Sequence, residues 1–338
     1  MRQESERVMH RARTRGWLGI AVTVGIFVAC LLVSLALGPV SLSLGKIWHY
    51  VTTGPVNGDP GNTIFWQIRM PRVLLAFLVG AALSVAGVIL QDLFLNPLTD
   101  PYVTGVSSGA ALGATFGSIL HLAVLPWMTV LALIGGFATL ATVWVAARRR
   151  GKIDVYVLLL AGVTISYLAT AMISVLMISA GKGMDTIIYW LLGSFSGRTW
   201  TEVELALVAV PFMLVPLFLS KEMDILLQGE KRALELGVDV ERAKRILLVT
   251  AAVLTAIAVS VSGIVGFVGL VVPHIVRLLA GPGHRRLVPM ALLGGAAMMG
   301  IADLLSRTML SPTEVPVGVV TTFVGAPLFV YLLRRAKA

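Results

Sequence analysis

The chain has 338 residues, of which 57% are hydrophobic and only 13% charged, with a mean hydropathy of +0.90 and a net charge of +10. A soluble domain carries roughly a quarter of its residues charged, so this surface faces something other than water. Continuous apolar runs exclude a β-barrel, whose strands alternate apolar and polar residues. Basic residues set in short clusters between apolar runs mark a membrane topology rather than a nucleic-acid face.

Taken in chain order, the first predicted span covers about Trp17–Gly38, within an uncharged run that ends at Gly45. Arg2, Arg7, Arg11, Arg13 and Arg15 precede it. They read as a cytoplasmic segment over 1–16 rather than the start of a cleaved leader, because the apolar run is too long and no small-residue cleavage site ends it. Cys30 is the only cysteine and reads as packing. Thr52 to Asn62 reads as a loop, and Val73 to Gln91 makes the second span. Pro97 and Pro101 break the chain around NPLTDP, and Pro101 to Ala147 holds two further spans with a turn near Pro126.

The fifth span is about Val155–Ala180. Ile187 to Phe195 is too short to cross and reads as an interfacial or re-entrant helix that ends in SGRTW. The sixth span is about Val203–Leu219. Residues 221–245 form the one polar stretch long enough for two short surface helices. The seventh span, about Ile246–Ser262, is followed by Gly263, Gly266 and Gly269 and an eighth reaching Leu279. Leu287–Leu305 and Val315–Leu333 complete a set of about ten. The predicted fold class is all-α: a polytopic membrane protein, 1–338 forming a single transmembrane domain.

Orientation follows from Lys and Arg counts. Five lie before the first span, four at 148–152, six at 221–245, three at 277–286 and three at the C-terminus, together 21 of 27. The other six are Lys46, Arg69, Arg72, Lys182, Arg198 and Arg307. Both termini are expected in the cytoplasm. RMPRVLLAFLVGAAL at 69–83 also echoes RAKRILLVTAAVLTA at 242–256. They open the second and seventh spans, an odd offset of five, which inverts orientation and suggests the inverted repeat of many transporters. Two unrelated apolar helices with basic caps would read the same.

The chemistry-bearing motifs are sparse. No GxxxxGK[ST] phosphate loop occurs, so the chain lacks that nucleotide grip. His10, His49, His121, His274 and His284 are scattered without metal-ligand spacing and read as loop or helix-end residues. The middle of the spans holds no acidic residue, which disfavours ion-coupled carriage. Neither catalytic nor metal residues are expected, and no buried charge marks a substrate pocket. Gly109, Gly113 and Gly117 suit close helix packing. Arg69, Arg72 and Arg307 stand at outer boundaries near Asp303 and Glu314. They are either snorkelling residues paired locally or a docking surface for an acidic partner. The stretch DILLQGEKRALELGVDVERAKR spaces apolar residues as a helix does. It would lie on the bilayer or fit a groove on a soluble partner.

Three longer stretches carry a resemblance: RMPRVLLAFLVGAALSVAGVILQDLFLNPLTDPYVTGVSSGAALGA, VGFVGLVVPHIVRLLAGPGHRRLVP and EVPVGVVTTFVGAPLFVYLL. They resemble the FecCD permease family, the membrane subunits of type II ABC importers for ferric siderophores, haem and cobalamin. The resemblance implies a permease without enzymatic activity or cofactor in the bacterial inner membrane. It would be paired with a second copy or a related permease, two cytoplasmic ATPases and an extracytoplasmic substrate-binding protein. It further implies docking of that protein at Arg69, Arg72 and Arg307, and ATPase coupling through Gly229, Glu230, Ala233, Leu236 and Gly237. A cytoplasmic gate is implied at Asn96, Pro97 and Leu98. A further gate that is Ser/Thr-rich in the cobalamin permease reads IDVYV here and is not carried over. A secondary carrier working alone is the remaining alternative.

Overall fold

Apolar surroundings leave unpaired backbone amides nowhere to go, so a chain this hydrophobic is driven into helices that satisfy their own hydrogen bonds. The computed structural model describes residues 2–56, 58–120, 127–149 and 152–336. It shows α1 (Arg2–Ala36), α2 (Leu44–Thr53), α3 (Pro60–Thr63), α4 (Met70–Leu93), α5 (Val106–Ile119), α6 (Trp127–Ala147), α7 (Val155–Ser179) and α8 (Met184–Leu191). It continues through α9 (Trp200–Leu207), α10 (Ala209–Phe218), α11 (Ser220–Leu226), α12 (Glu230–Glu235), α13 (Val240–Ser262), α14 (Val268–Ala280), α15 (His284–Thr308) and α16 (Val317–Ala336). Arg148–Arg149 and Lys152–Ile153 form a minimal antiparallel hairpin.

Among the described residues seven helical stretches are long and apolar enough to cross a bilayer, including Pro60–Leu93, which leads through a π-turn into α4, and Trp200–Phe218, which joins α9 to α10. The other three expected spans are α5, α14 and α16, of 14, 13 and 20 residues. At 1.5 Å per residue the two shortest fall well below the ~30 Å hydrocarbon thickness. They begin beside the middle of longer neighbours instead: a Cβ on Gly87, well inside α4, would lie 1.9 Å from the carbonyl oxygen of Gly269, in the first turn of α14.

α4 is the axis of the molecule. Nearly all of it is buried, and it packs on α13, α14 and α15. α13 is the other long buried helix, so the two segments that echo each other in sequence open the two central helices, which pack together. Each is followed by a connection and then a short helix. The two connections are joined: the Tyr102 hydroxyl donates to the Val265 carbonyl and accepts from the Val265 amide at 2.8 Å. Gln91 Nε2 donates to the carbonyls of Gly269 and Leu270, each at 3.2 Å.

The glycine series in α5 packs as expected. At Gly113 a Cβ would stand 2.0 Å from the Leu131 carbonyl, so only glycine lets α5 and α6 approach this closely. Two expectations change. The loop read over Thr52 to Asn62 begins in α2 and ends in α3, and α2 starts at the end of the uncharged run, where the sequence gives no sign of a separate helix. Ser43 caps it, its hydroxyl accepting from the Lys46 amide at 3.4 Å, and Ile47 and Tyr50 form its buried face. The turn near Pro126, and His121, lie outside the described residues.

Candidate functional site

The predicted functional residues gather at the two ends of α4. At the first end Arg69, Arg72 and Arg307 come together but are buried, with 4%, 7% and 3% of their surface exposed. Arg72 Nε contacts Asp303 Oδ1 at 2.8 Å and its Nη1 contacts Glu314 Oε1 at 2.7 Å. Arg307 Nε lies 3.3 Å from Asp303 Oδ2, and its Nη2 donates to the Ser34 carbonyl at 2.6 Å. Among the described residues Arg69 has no carboxylate partner. It donates to the carbonyls of Leu35 at 2.8 Å and Ala36 at 3.2 Å, and also to Val40. Ser34, Leu35 and Ala36 are the last residues of α1, whose terminal carbonyls have no acceptor role left inside the helix. Two arginines therefore cap α1 where its dipole favours cations.

Three guanidinium groups face two carboxylates, which leaves one positive charge in excess. A pocket of about 250 Å³ opens beside them, walled by Pro39, Val40, Ile64 and Ile68. The local pairing with Asp303 and Glu314 is realised. Asp303 is 1% exposed and lies near the C-terminal end of α15.

Sequence reading missed the cluster at the other end. Asp92, in the last turn of α4, is 5% exposed, and its Oδ1 contacts Arg277 Nη2 at 2.6 Å. Its Oδ2 contacts Nε2 of His284, the first residue of α15, which is completely buried. His284 Nδ1 contacts Asp224 Oδ1 at 2.6 Å, and the same oxygen accepts from the His284 amide at 3.0 Å. Each ring nitrogen faces a carboxylate, an arrangement satisfied on both sides only by the doubly protonated ring. The carboxylates sit on opposite ring edges and cannot share a cation. Among the described residues no group of three or more His, Cys, Asp or Glu could hold a metal. What the cluster does is tie α4, α11, α14 and α15 together. Its only sequence signals are an acidic residue closing an apolar run and a histidine after a Pro-Gly break.

The NPL turn follows directly. Asn96 Oδ1 accepts from the Leu98 amide at 2.9 Å, the Asn96 amide donates to the Gln91 carbonyl at 3.0 Å, and Asn96, Pro97 and Leu98 are all exposed. Next to it, α11 and α12 are the two short helices expected between 221 and 245. Gly229 begins α12 at φ +99°. Glu230 pairs with Lys244 on α13, and Ala233 is buried. The amide of Val238 bonds to the Ala233 carbonyl and that of Gly237 to the Leu234 carbonyl, with Gly237 at φ +79°. This is a Schellman ending, which needs glycine at that place. Leu234 and Leu236 are 63% and 58% exposed. The helix thus presents an apolar face that no other part of the described chain covers.

Comparison with known proteins agrees with this arrangement. The FecCD transport family matches residues 26–335. The chain is 44% identical over 281 residues to the cobalamin import system permease protein BtuC of Halobacterium salinarum, covering 82% of this chain and 74% of that protein. It is 38% identical to the hemin transport system permease protein HmuU of Yersinia pestis, covering 92% and 95% of the two chains. It is also 38% identical to the Fe(3+) dicitrate transport system permease protein FecD of Escherichia coli, covering 94% and 99%. A solved structure described as an inward-facing conformation of a metal-chelate type ABC transporter superposes with a TM-score of 0.83 at 31% identity, covering 94% of this chain and 98% of the other. With a family match over residues 26–335 and relatives 38% or more identical over most of its length, the chain belongs to the FecCD transport family.

Proposed function

We propose that the chain is the transmembrane permease subunit of a binding-protein-dependent ABC importer that carries a metal chelate inward: an iron chelate such as a siderophore or haem, or cobalamin. The observation that carries this reading is the agreement with a metal-chelate type ABC transporter over 94% of the chain. The exposed Leu234 and Leu236 of α12 support an external motor. They lie between two glycine breaks, on a helix tied to α13 through Glu230 and Lys244 and adjacent to α11, which Asp224 joins to the His284 cluster. Two cytoplasmic ATPases would seat on Gly229, Glu230, Ala233, Leu236 and Gly237. Their closure would reach α4 through Asp224, His284 and Asp92 and move the turn at Asn96, Pro97 and Leu98. A second permease copy or a related permease would complete the pathway.

The extracytoplasmic binding protein would dock over Arg69, Arg72 and Arg307. Because these are buried, docking takes the form of an acidic side chain entering the pocket beside them, where one positive charge stands in excess. This sets the Arg69 end of α4 outside and both termini in the cytoplasm of a bacterial inner membrane. Reconstitution of the chain with its ATPase in proteoliposomes tests the reading. Chelate uptake should require ATP and the binding protein, whereas uptake by the chain alone would assign it to the stand-alone carriers.

A further inference from the structure

In the sequence Arg198 is only one of six basic residues that fall outside the cytoplasmic clusters. The structure buries it, with 9% of its surface exposed, in the turn between α8 and α9. That turn is held from two sides. The Ser194 amide donates to the Ser262 carbonyl at the end of α13 at 2.8 Å, and the Val317 amide at the start of α16 donates to the Gly193 carbonyl at 2.9 Å. The guanidinium is therefore carried on a fixed frame.

Its bonding sets it apart. Of the buried arginines among the described residues, Arg69, Arg72 and Arg307 each hold a carboxylate or a helix-end carbonyl, while Arg198 makes no side-chain hydrogen bond and its Nε is without a partner. Glu202 offsets part of the burial, yet its Oε2 is already taken by the amide and hydroxyl of Thr199, at 2.8 and 2.9 Å, in the capping box of α9. Burial pushes the Arg198 guanidinium below its ordinary pKa, the direction expected for a cation short of counter-charge.

Arg198 lines a cavity of about 500 Å³ whose wall comes from α8 (Thr186, Trp190), the turn (Ser194) and the segment before α16 (Thr313, Glu314). The buried Trp190 indole nitrogen is a second donor without a partner. Glu314 reaches this cavity and the arginine pocket alike, with Oε1 already on Arg72, so the two openings adjoin at one end of the molecule. A buried, unsatisfied donor costs free energy that a ligand oxygen would recover, and a charged donor gains more than a neutral one.

We propose that this cavity is a receiving site for the transported chelate, in which Arg198 and Trp190 bind an anionic oxygen of the ligand and select for carboxylate-bearing metal chelates. The proposal rests on the permease reading above and places the site beside the proposed docking point, where a delivered ligand would first meet the chain. The burial of Arg198 in this cavity departs from the expectation that no buried charge marks a pocket.

The test separates binding from transport. Equilibrium dialysis of the full chain in nanodiscs would be run with radioactive ferric dicitrate and hemin, which carry carboxylates, and with cyanocobalamin, which has no free carboxylate. Arg198→Ala should weaken binding of the carboxylate probes by about tenfold or more. Arg198→Lys should recover part of that loss, Trp190→Phe should lose a few-fold, and cyanocobalamin binding should not change. The Trp190→Phe arm keeps the test open should Arg198→Ala fail to fold. Unchanged carboxylate-probe binding in the folded variants would overturn the proposal, as would wild-type chain that binds neither carboxylate probe. The permease reading is judged separately by ATP-driven uptake, so either can fail while the other stands.

Discussion

The two ends of α4 hold charge in opposite ways. At the Arg69 end three arginines outnumber two carboxylates, and two of the arginines are spent on carbonyls that close α1. At the Asp92 end two cations meet two carboxylates, and each contact joins a different pair of helices. The first arrangement stiffens one corner and leaves positive charge over. The second is balanced and reaches the short helix α11, so a displacement of α11 has a mechanical path into α4. One end holds surplus charge, and the other holds a balanced chain of contacts between helices.

Substitutions can break or sharpen this contrast. The largest effect is expected from Asp92→Ala, which strands Arg277 and His284 together. Removing one partner from a buried ionic group costs about 3–5 kcal/mol. Thermal unfolding in detergent should fall clearly, and ATP-driven uptake should be lost while binding-protein affinity in the folded fraction stays at wild type. Equal losses of uptake and docking would dissolve the division between the ends. Asp303→Asn comes next. It keeps shape and one acceptor oxygen but removes the charge shared by Arg72 and Arg307, and should lower stability by about 2–3 kcal/mol. The added positive excess should leave docking of an acidic partner intact or tighter; weaker docking would argue against the pocket as the contact.

Arg69→Ala, which removes three carbonyl contacts, should cost about 1–2 kcal/mol and weaken docking in a salt-dependent manner, as surface plasmon resonance at two ionic strengths would show. Lys244→Met breaks the pair with Glu230, whose side chain is 58% exposed, so at most about 1 kcal/mol is expected. Leu236→Ser is the smallest in stability, within about 0.5 kcal/mol, because the side chain lies at the surface. Coupling should suffer all the same, measured as loss of binding-protein-stimulated ATP hydrolysis. Full stimulation would remove α12 from the motor contact.

The contrast also shows what a single sequence conveys. The long helices were legible because apolar runs report burial or lipid directly, and α11 and α12 because a polar stretch among such runs must lie outside them. The glycine spacing of α5 was legible because helix contact repeats locally. For Arg69, Arg72 and Arg307, pairing with Asp303 and Glu314 is legible as one of two readings, but the burial of Arg69 and Arg307 against the end of α1 is not, since Leu35 and Ser34 lie 34 and 273 residues away. His284 was read as a helix-end residue, which it is. Its two carboxylate partners stand 192 and 60 residues away, a distance that no local pattern encodes. Arg198 was hidden in the same way, because its environment is assembled from three separate segments.

The bond between Tyr102 and Val265 has a wider bearing. One hydroxyl occupies both the amide and the carbonyl of a residue in the opposite connection, so separating the two connections costs two hydrogen bonds. Displacement of the Pro97 turn would drag the Gly263–Phe267 segment with it, and with that segment the start of α14. The hydrogen bonds at Tyr102 thus join the connections that follow the two central helices, which come from opposite halves of the chain.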